Sequence, residues 1–112
     1  MQIEVRGSTV RMASGAEHDF GRRIVRVLDT GSIVVVLLDS EDGPSISENV
    51  FGLDRSARVA WRVQEFEFPN GRTPYTQISQ GEDGSVKAYN FSGIMVVLEP
   101  RSGRITGSYV AK

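Results

Sequence analysis

Along Arg58-Val59-Ala60-Trp61-Arg62-Val63-Gln64 the apolar residues Val59, Trp61 and Val63 alternate with Arg58, Arg62 and Gln64. A period of two sends successive side chains to opposite faces of an extended chain, so this segment predicts a half-exposed strand with its tryptophan turned inward. Glu65-Phe66-Glu67-Phe68 continues the alternation as far as Pro69. Proline has no amide hydrogen for a ladder, which predicts the end of the strand there. Two segments do not alternate. Ile33-Val34-Val35-Val36-Leu37-Leu38 and Ile94-Met95-Val96-Val97-Leu98 are apolar at every position, which predicts the two strands most buried on both faces.

Polar clusters that carry glycine separate these segments, at Gly7-Ser8, Asp29-Thr30-Gly31-Ser32, Asp42-Gly43-Pro44, Asn70-Gly71, Glu82-Asp83-Gly84, Ser92-Gly93 and Ser102-Gly103. Each supplies turn chemistry for a hairpin. The strands predicted between them lie at 2–6, 9–13, 22–29, 32–39, 49–54, 57–66, 74–79, 86–91, 94–99 and 104–110. Composition agrees: 14 valines and 7 isoleucines against 5 leucines favour a pleated sheet over a helix. Residues 1–112 therefore read as one all-β domain, a single antiparallel meander of about 8–10 strands curled into a barrel-like or sandwich arrangement.

A repeat runs through the second half. Leu53-Asp54-Arg55-Ser56-Ala57-Arg58-Val59 is matched by Leu98-Glu99-Pro100-Arg101-Ser102-Gly103-Arg104-Ile105, with the RSARV and RSGRI cores 46 residues apart. The segment NVFGLDRSARVAWRVQ, with VKAYNFSGIMVVLEPRSGRITGSYV, resembles the strand, Asp-containing turn, strand and Trp pattern of quinoprotein-type (PQQ-like) propeller repeats. Over residues 24–112 the order VVVLLD, NVFGLD, AWRVQ, PYT, YNFSG, LEPRSGRI is similar to a family of short bacterial all-β proteins with no assigned activity. The resemblance implies an all-β fold. Ala57 stands where such turns carry glycine, and Gly107 stands where the first unit has Trp61. Two units are too few for a closed ring of about 4 to 8 blades, which excludes a closed monomeric propeller and a quinone site within one chain; a homotrimer making a six-bladed ring is the rival arrangement.

Charge and special residues narrow the function. The net charge of −1 offers no field for a phosphate backbone or an anionic membrane. The longest apolar run, Ile33 to Leu38, falls well short of the ~20 residues that span a bilayer as a helix. Neither nucleic acid nor a membrane is expected as a partner, and the chain reads as soluble and cytoplasmic. The absence of cysteine excludes disulfides, thiolate zinc sites and a cysteine nucleophile. Residues 29–54 carry six acids and no base, placed mostly at predicted turns.

Catalytic constellations are missing. His18, the one histidine, lies in Glu17-His18-Asp19, expected to be a solvated loop, since three adjacent residues rarely converge on one metal. Neither GxSxG, GxxxxGK[ST] nor GxGxxG occurs. Glu65 and Glu67 share a predicted strand face at a spacing that could serve two carboxylates in glycoside hydrolysis, but they are expected to form an exposed acidic face opposite Phe66 and Phe68. The sequence therefore predicts a bacterial binding module without catalysis, cofactor or metal, acting on a protein partner through a sheet face. The competing readings are a small-molecule binder with an apolar barrel mouth and a small hydrolase using the paired carboxylates. Trp61 is expected in the core. The expected binding surface comprises Arg62, opposite Trp61 on its strand, and Tyr75 and Tyr89, which sit beside turns where a phenol keeps its hydroxyl in water.

Overall fold

The computed structural model describes residues 3–43, 46–66, 68 and 71–110. The described residues contain eleven strands and no helix: β1 (Glu4–Arg6), β2 (Thr9–Arg11), β3 (Glu17–Asp19), β4 (Ile24–Asp29), β5 (Val34–Leu38), β6 (Val50–Leu53), β7 (Val59–Arg62), β8 (Tyr75–Gln80), β9 (Val86–Asn90), β10 (Ile94–Leu98) and β11 (Ile105–Val110). They form three antiparallel meanders, β1-β2-β3, β4-β5-β6-β7 and β8-β9-β10-β11. No sheet closes into a barrel, so the expected all-β meander takes its layered form, with sheets stacked face on face.

The β4–β7 sheet is the middle layer. In β5 and the residue before it, Ile33, Val35 and Leu37 pack toward the β8–β11 sheet with Val50, Trp61, Ile78, Val86, Ala88, Val96 and Leu98. The alternate residues Val34, Val36 and Leu38 pack the other way, with Ile24, Leu53, Ala57, Val10 and Met12. All six residues Ile33 to Leu38 are buried, as a strand apolar on both faces requires. Aromatic contact ties the first sheet to the middle one, with the Phe20 and Phe51 rings 5.2 Å apart.

The structure corrects four expectations about the strands. Glu17-His18-Asp19 is a strand, not a solvated loop: it pairs with Arg11-Val10-Thr9, which puts half-buried His18 on the face of Val10 with its ring edge-on to Phe20. The strand expected over 57–66 ends at Arg62. Within it a bulge takes Leu53 opposite Val59 while Gly52 opposes Trp61, and the slip turns Val59 outward, 44% exposed, although Trp61 and Val63 are buried. Finally, β10 is not buried on both faces. Val96 and Leu98 are covered, whereas Ile94, Met95 and Val97 are half-buried. Pro69 and Glu67 lie outside the described residues.

Candidate functional site

Trp61 locks the two larger sheets together. Its cross-strand partner is Gly52, and a Cβ added at Gly52 or at Gly103 of the β10–β11 turn would fall inside the indole. The ring is thus held between two glycines, one from its own sheet and one from the next, and Nε1 donates to the Pro100 carbonyl at 2.6 Å. The matching turn of the first repeat unit, Asp54 to Arg58, holds the same shape with Ala57 at φ 63°, where Gly103 has 73°. In the first turn Asp54 Oδ1 accepts from the Ser56 and Arg58 amides, and in the second Glu99 Oε1 accepts from the Ser102 amide. Trp61 being the only tryptophan, the first sheet has none to set against Ala57, and that methyl packs among Val10, Met12 and Leu53 instead.

Asn49 is the polar counterpart of this lock. Fully buried, it donates from Nδ2 to the carbonyls of Leu38 and Tyr75 at 2.8 and 2.9 Å, and its Oδ1 accepts from the Tyr75 amide at 2.9 Å. One side chain thereby supplies the hydrogen bonds that join the middle sheet to the start of β8.

The three residues expected to form a binding surface are not brought together. Arg62 is exposed on the face of the middle sheet opposite Trp61; its Nε donates to the Glu48 carbonyl at 2.7 Å and its guanidinium lies 5.0 Å from the Phe51 ring centre. Tyr75 is in the core, 3% exposed, against Phe68. Its hydroxyl is buried without a hydrogen-bond partner among the described residues, contrary to the expectation of a phenol kept in water. Burial, reinforced by the Glu48 carboxylate, pushes its pKa up to about 12. The proline before it marks the start of β8, and β8 runs beneath the middle sheet, so a turn-adjacent position did not mean an exposed one. Tyr89 is half-buried on the outer side of the β8–β11 sheet.

Opposed residues of an antiparallel pair share a face, which gives two rows across the strands on that outer side: Gln77, Tyr89, Met95, Tyr109, and Ser79, Lys87, Val97, Gly107. Lys87 is the only charge in the eight. Tyr109 is 59% exposed and leans back over Gly107, at 3.6 Å from where a Cβ would be. The opposite end of the stack is different in kind. The outward rows of the first sheet are Glu4, Arg11, Glu17 and Arg6, Thr9, Asp19, with Arg6 paired to Glu4 and Arg11 to Glu17. One end of the stack is thus a charged, solvent-facing cap and the other carries tyrosine, methionine and valine. Met95, Val97 and Tyr109 were not singled out from the sequence; the signal was present in the unbroken apolar run at Ile94 to Leu98, read there as burial alone.

A second feature is a notch of about 500 Å³ where the β5–β6 loop meets the β9–β10 turn, lined by Ser40, Glu41, Gly43, Thr73, Pro74 and Phe91. Phe91, at the turn, is 74% exposed. The loop beside it is held by Arg23, whose side chain pairs with Asp39 at 2.8 Å and whose amide donates to Asp42 at 2.6 Å. The Glu41 amide, and then Arg23, hold the Asp39 carboxyl below its usual range. No group of three metal-ligating side chains occurs among the described residues. Glu65 forms an ion pair with Arg72, and Glu67 lies outside the described residues, so the carboxylate pair suggested by the sequence has no described geometry.

The fold is similar to that in the crystal structure of BamB from Moraxella catarrhalis, with a TM-score of 0.60 and 19% identity, over 99% of this chain and 35% of that one. The chain spans about a third of that structure's length. No curated protein matches. A family profile described as a domain of unknown function, DUF7957, matches residues 1–109, nearly the entire sequence, and the chain belongs to that family.

Proposed function

We propose that this domain is a non-catalytic protein-interaction module whose contact surface is the outer face of the β8–β11 sheet. The observation that carries the reading is the contrast between β5 and β10. Both are apolar at every position, but β5 is covered on both sides, whereas Met95 and Val97 of β10 are only half-buried and belong to neither apolar core. Antiparallel sheets that meet water usually present polar residues to it. This one presents Tyr89, Tyr109, Met95 and Val97, and tyrosine and methionine are types enriched where proteins meet. The repeated turn and the Trp61 lock support reading the two four-stranded sheets as consecutive propeller-type blades, with the outer face in the position where a further layer would dock.

The test compares the wild-type chain with Val97→Asp as bait in extract of the source organism. The wild type is expected to retain a protein in stoichiometric amount and the variant to lose it at an unchanged melting temperature. Equal retention by both contradicts the reading. A second reading, a small-molecule site, is favoured by the notch at Phe91; native mass spectrometry showing a retained small ligand that Phe91→Ala releases supports it.

A further inference from the structure

We propose that a second copy of this chain covers the outer face of the β8–β11 sheet, across a two-fold axis running perpendicular to the strands between the two rows of that face. The proposal rests on the reading above and names its partner. Charge density selects the partner: the face has one cation in eight residues and no acid, so it fits a surface equally sparse in charge. The other end of the stack is dense in charge, with five of the six residues in its outward rows ionised. Stacking chains head to tail, including the three-chain ring, would set Met95, Val97 and the tyrosines against Glu4, Arg6, Arg11, Glu17 and Asp19 and strip water from those charges, whose pairing is only with one another and whose desolvation the apolar face does not offset. The second sheet also has Gly107 at the repeat position of Trp61, so it projects no indole to lock a following sheet.

The face complements itself instead. A two-fold axis between the rows lays the Gln77, Tyr89, Met95, Tyr109 row of one copy over the Ser79, Lys87, Val97, Gly107 row of the other, with strand order preserved. Met95 then meets Val97. The Lys87 stem and ammonium lie on the Tyr89 ring, a cation–π pairing that keeps the two lysines apart. Gln77 meets Ser79, and the Tyr109 rings, each leaning over its own Gly107, approach one another at the axis. Closed two-fold pairing of this kind is the commonest form of homo-oligomer. Four strands at ~4.8 Å spacing and about 20 Å of length give roughly 400 Å² of sheet per copy, at the low end for specific association, so the dimer is expected to be weak and reversible.

Sedimentation of the purified full chain tests it first. A monomer–dimer equilibrium in the micromolar range is expected, weakened about tenfold or more by Val97→Glu at an unchanged melting temperature; a wild type that stays monomeric to ~1 mM overturns the proposal. The absence of native cysteine allows a second test. Met95→Cys and Val97→Cys chains, mixed and oxidised, should form the mixed disulfide in preference to either self-linked product. Preferential self-linking of either variant overturns the two-fold geometry. If the chain is monomeric yet the bait still retains a different protein through Val97, the face remains an interaction surface and only its occupant is wrong.

Discussion

The Trp61 indole lies over Gly103, 42 residues on, so closely that no side chain at all fits between them. The contact joins two sheets through one flat ring, and it accounts for alanine at position 57 of the first repeat where the second has Gly103. Gly103 needs both a positive φ and an empty Cβ position, whereas Ala57 needs only the positive φ.

Gly103→Ala should therefore cost roughly 2–5 kcal/mol, from the overlap with the ring together with left-handed strain. Ala57→Gly should change stability by less than about 1 kcal/mol, since relief of strain is offset by a lost buried methyl and a more flexible unfolded chain. Trp61→Ala is expected to cost about 3–5 kcal/mol. Urea denaturation of the three variants checks the order, and equal effects of the first two would contradict the role given to the ring.

Asn49→Ala leaves the Tyr75 amide and the carbonyls of Leu38 and Tyr75 without their partner in a buried place. A loss of about 3 kcal/mol is expected. Amide exchange should show the Tyr75 N–H losing protection ahead of the centre of β5.

Tyr75→Phe removes a buried hydroxyl that has no partner among the described residues, and should leave stability at neutral pH unchanged or raise it by up to ~1 kcal/mol. The alkaline limb gives the sharper comparison. The folded pKa is raised, so the neutral phenol's contribution is fully present below the unfolded value of about 10 and is lost as pH rises toward about 12. Wild-type stability should fall across that window, and the phenylalanine variant should fall less.

Asp39 and Asp19 titrate on the acid side. The Glu41 amide with Arg23 lowers the first, and the Ser8 hydroxyl with the Gly21 amide lowers the second. A depressed folded pKa contributes stability above the unfolded value near 4 and loses it as pH falls through the folded one. Stability should be flat from neutral to about pH 5 and decline below the ordinary carboxylate range, with a shallower decline in Asp39→Asn.

Much of this architecture was legible in the sequence because local rules govern it. The turn glycines at 7, 31, 43, 71, 84, 93 and 103 all adopt positive φ, and the alternation around Trp61 placed it inside. What escaped was non-local. A bulge of one residue reverses Val59 without changing its neighbours' pattern, and Glu17-His18-Asp19 becomes a strand only because β2 lies beside it. Tyr75 and Tyr89 look alike beside their turns, but β8 runs beneath the middle sheet and the outer side of β9 does not. The apolar run Ile94 to Leu98 predicts burial on both faces, and only the sheet order shows that Met95 and Val97 point to the outer side, where they are half-buried.

Oxidative footprinting of Met95, Tyr89 and Tyr109 tests the proposed interaction face most directly, comparing the chain in native-host extract with the same chain dilute and pure. These three are expected to be protected in extract several-fold relative to the dilute chain. Equal oxidation of Met95, Tyr89 and Tyr109 in the two conditions would contradict the proposed face.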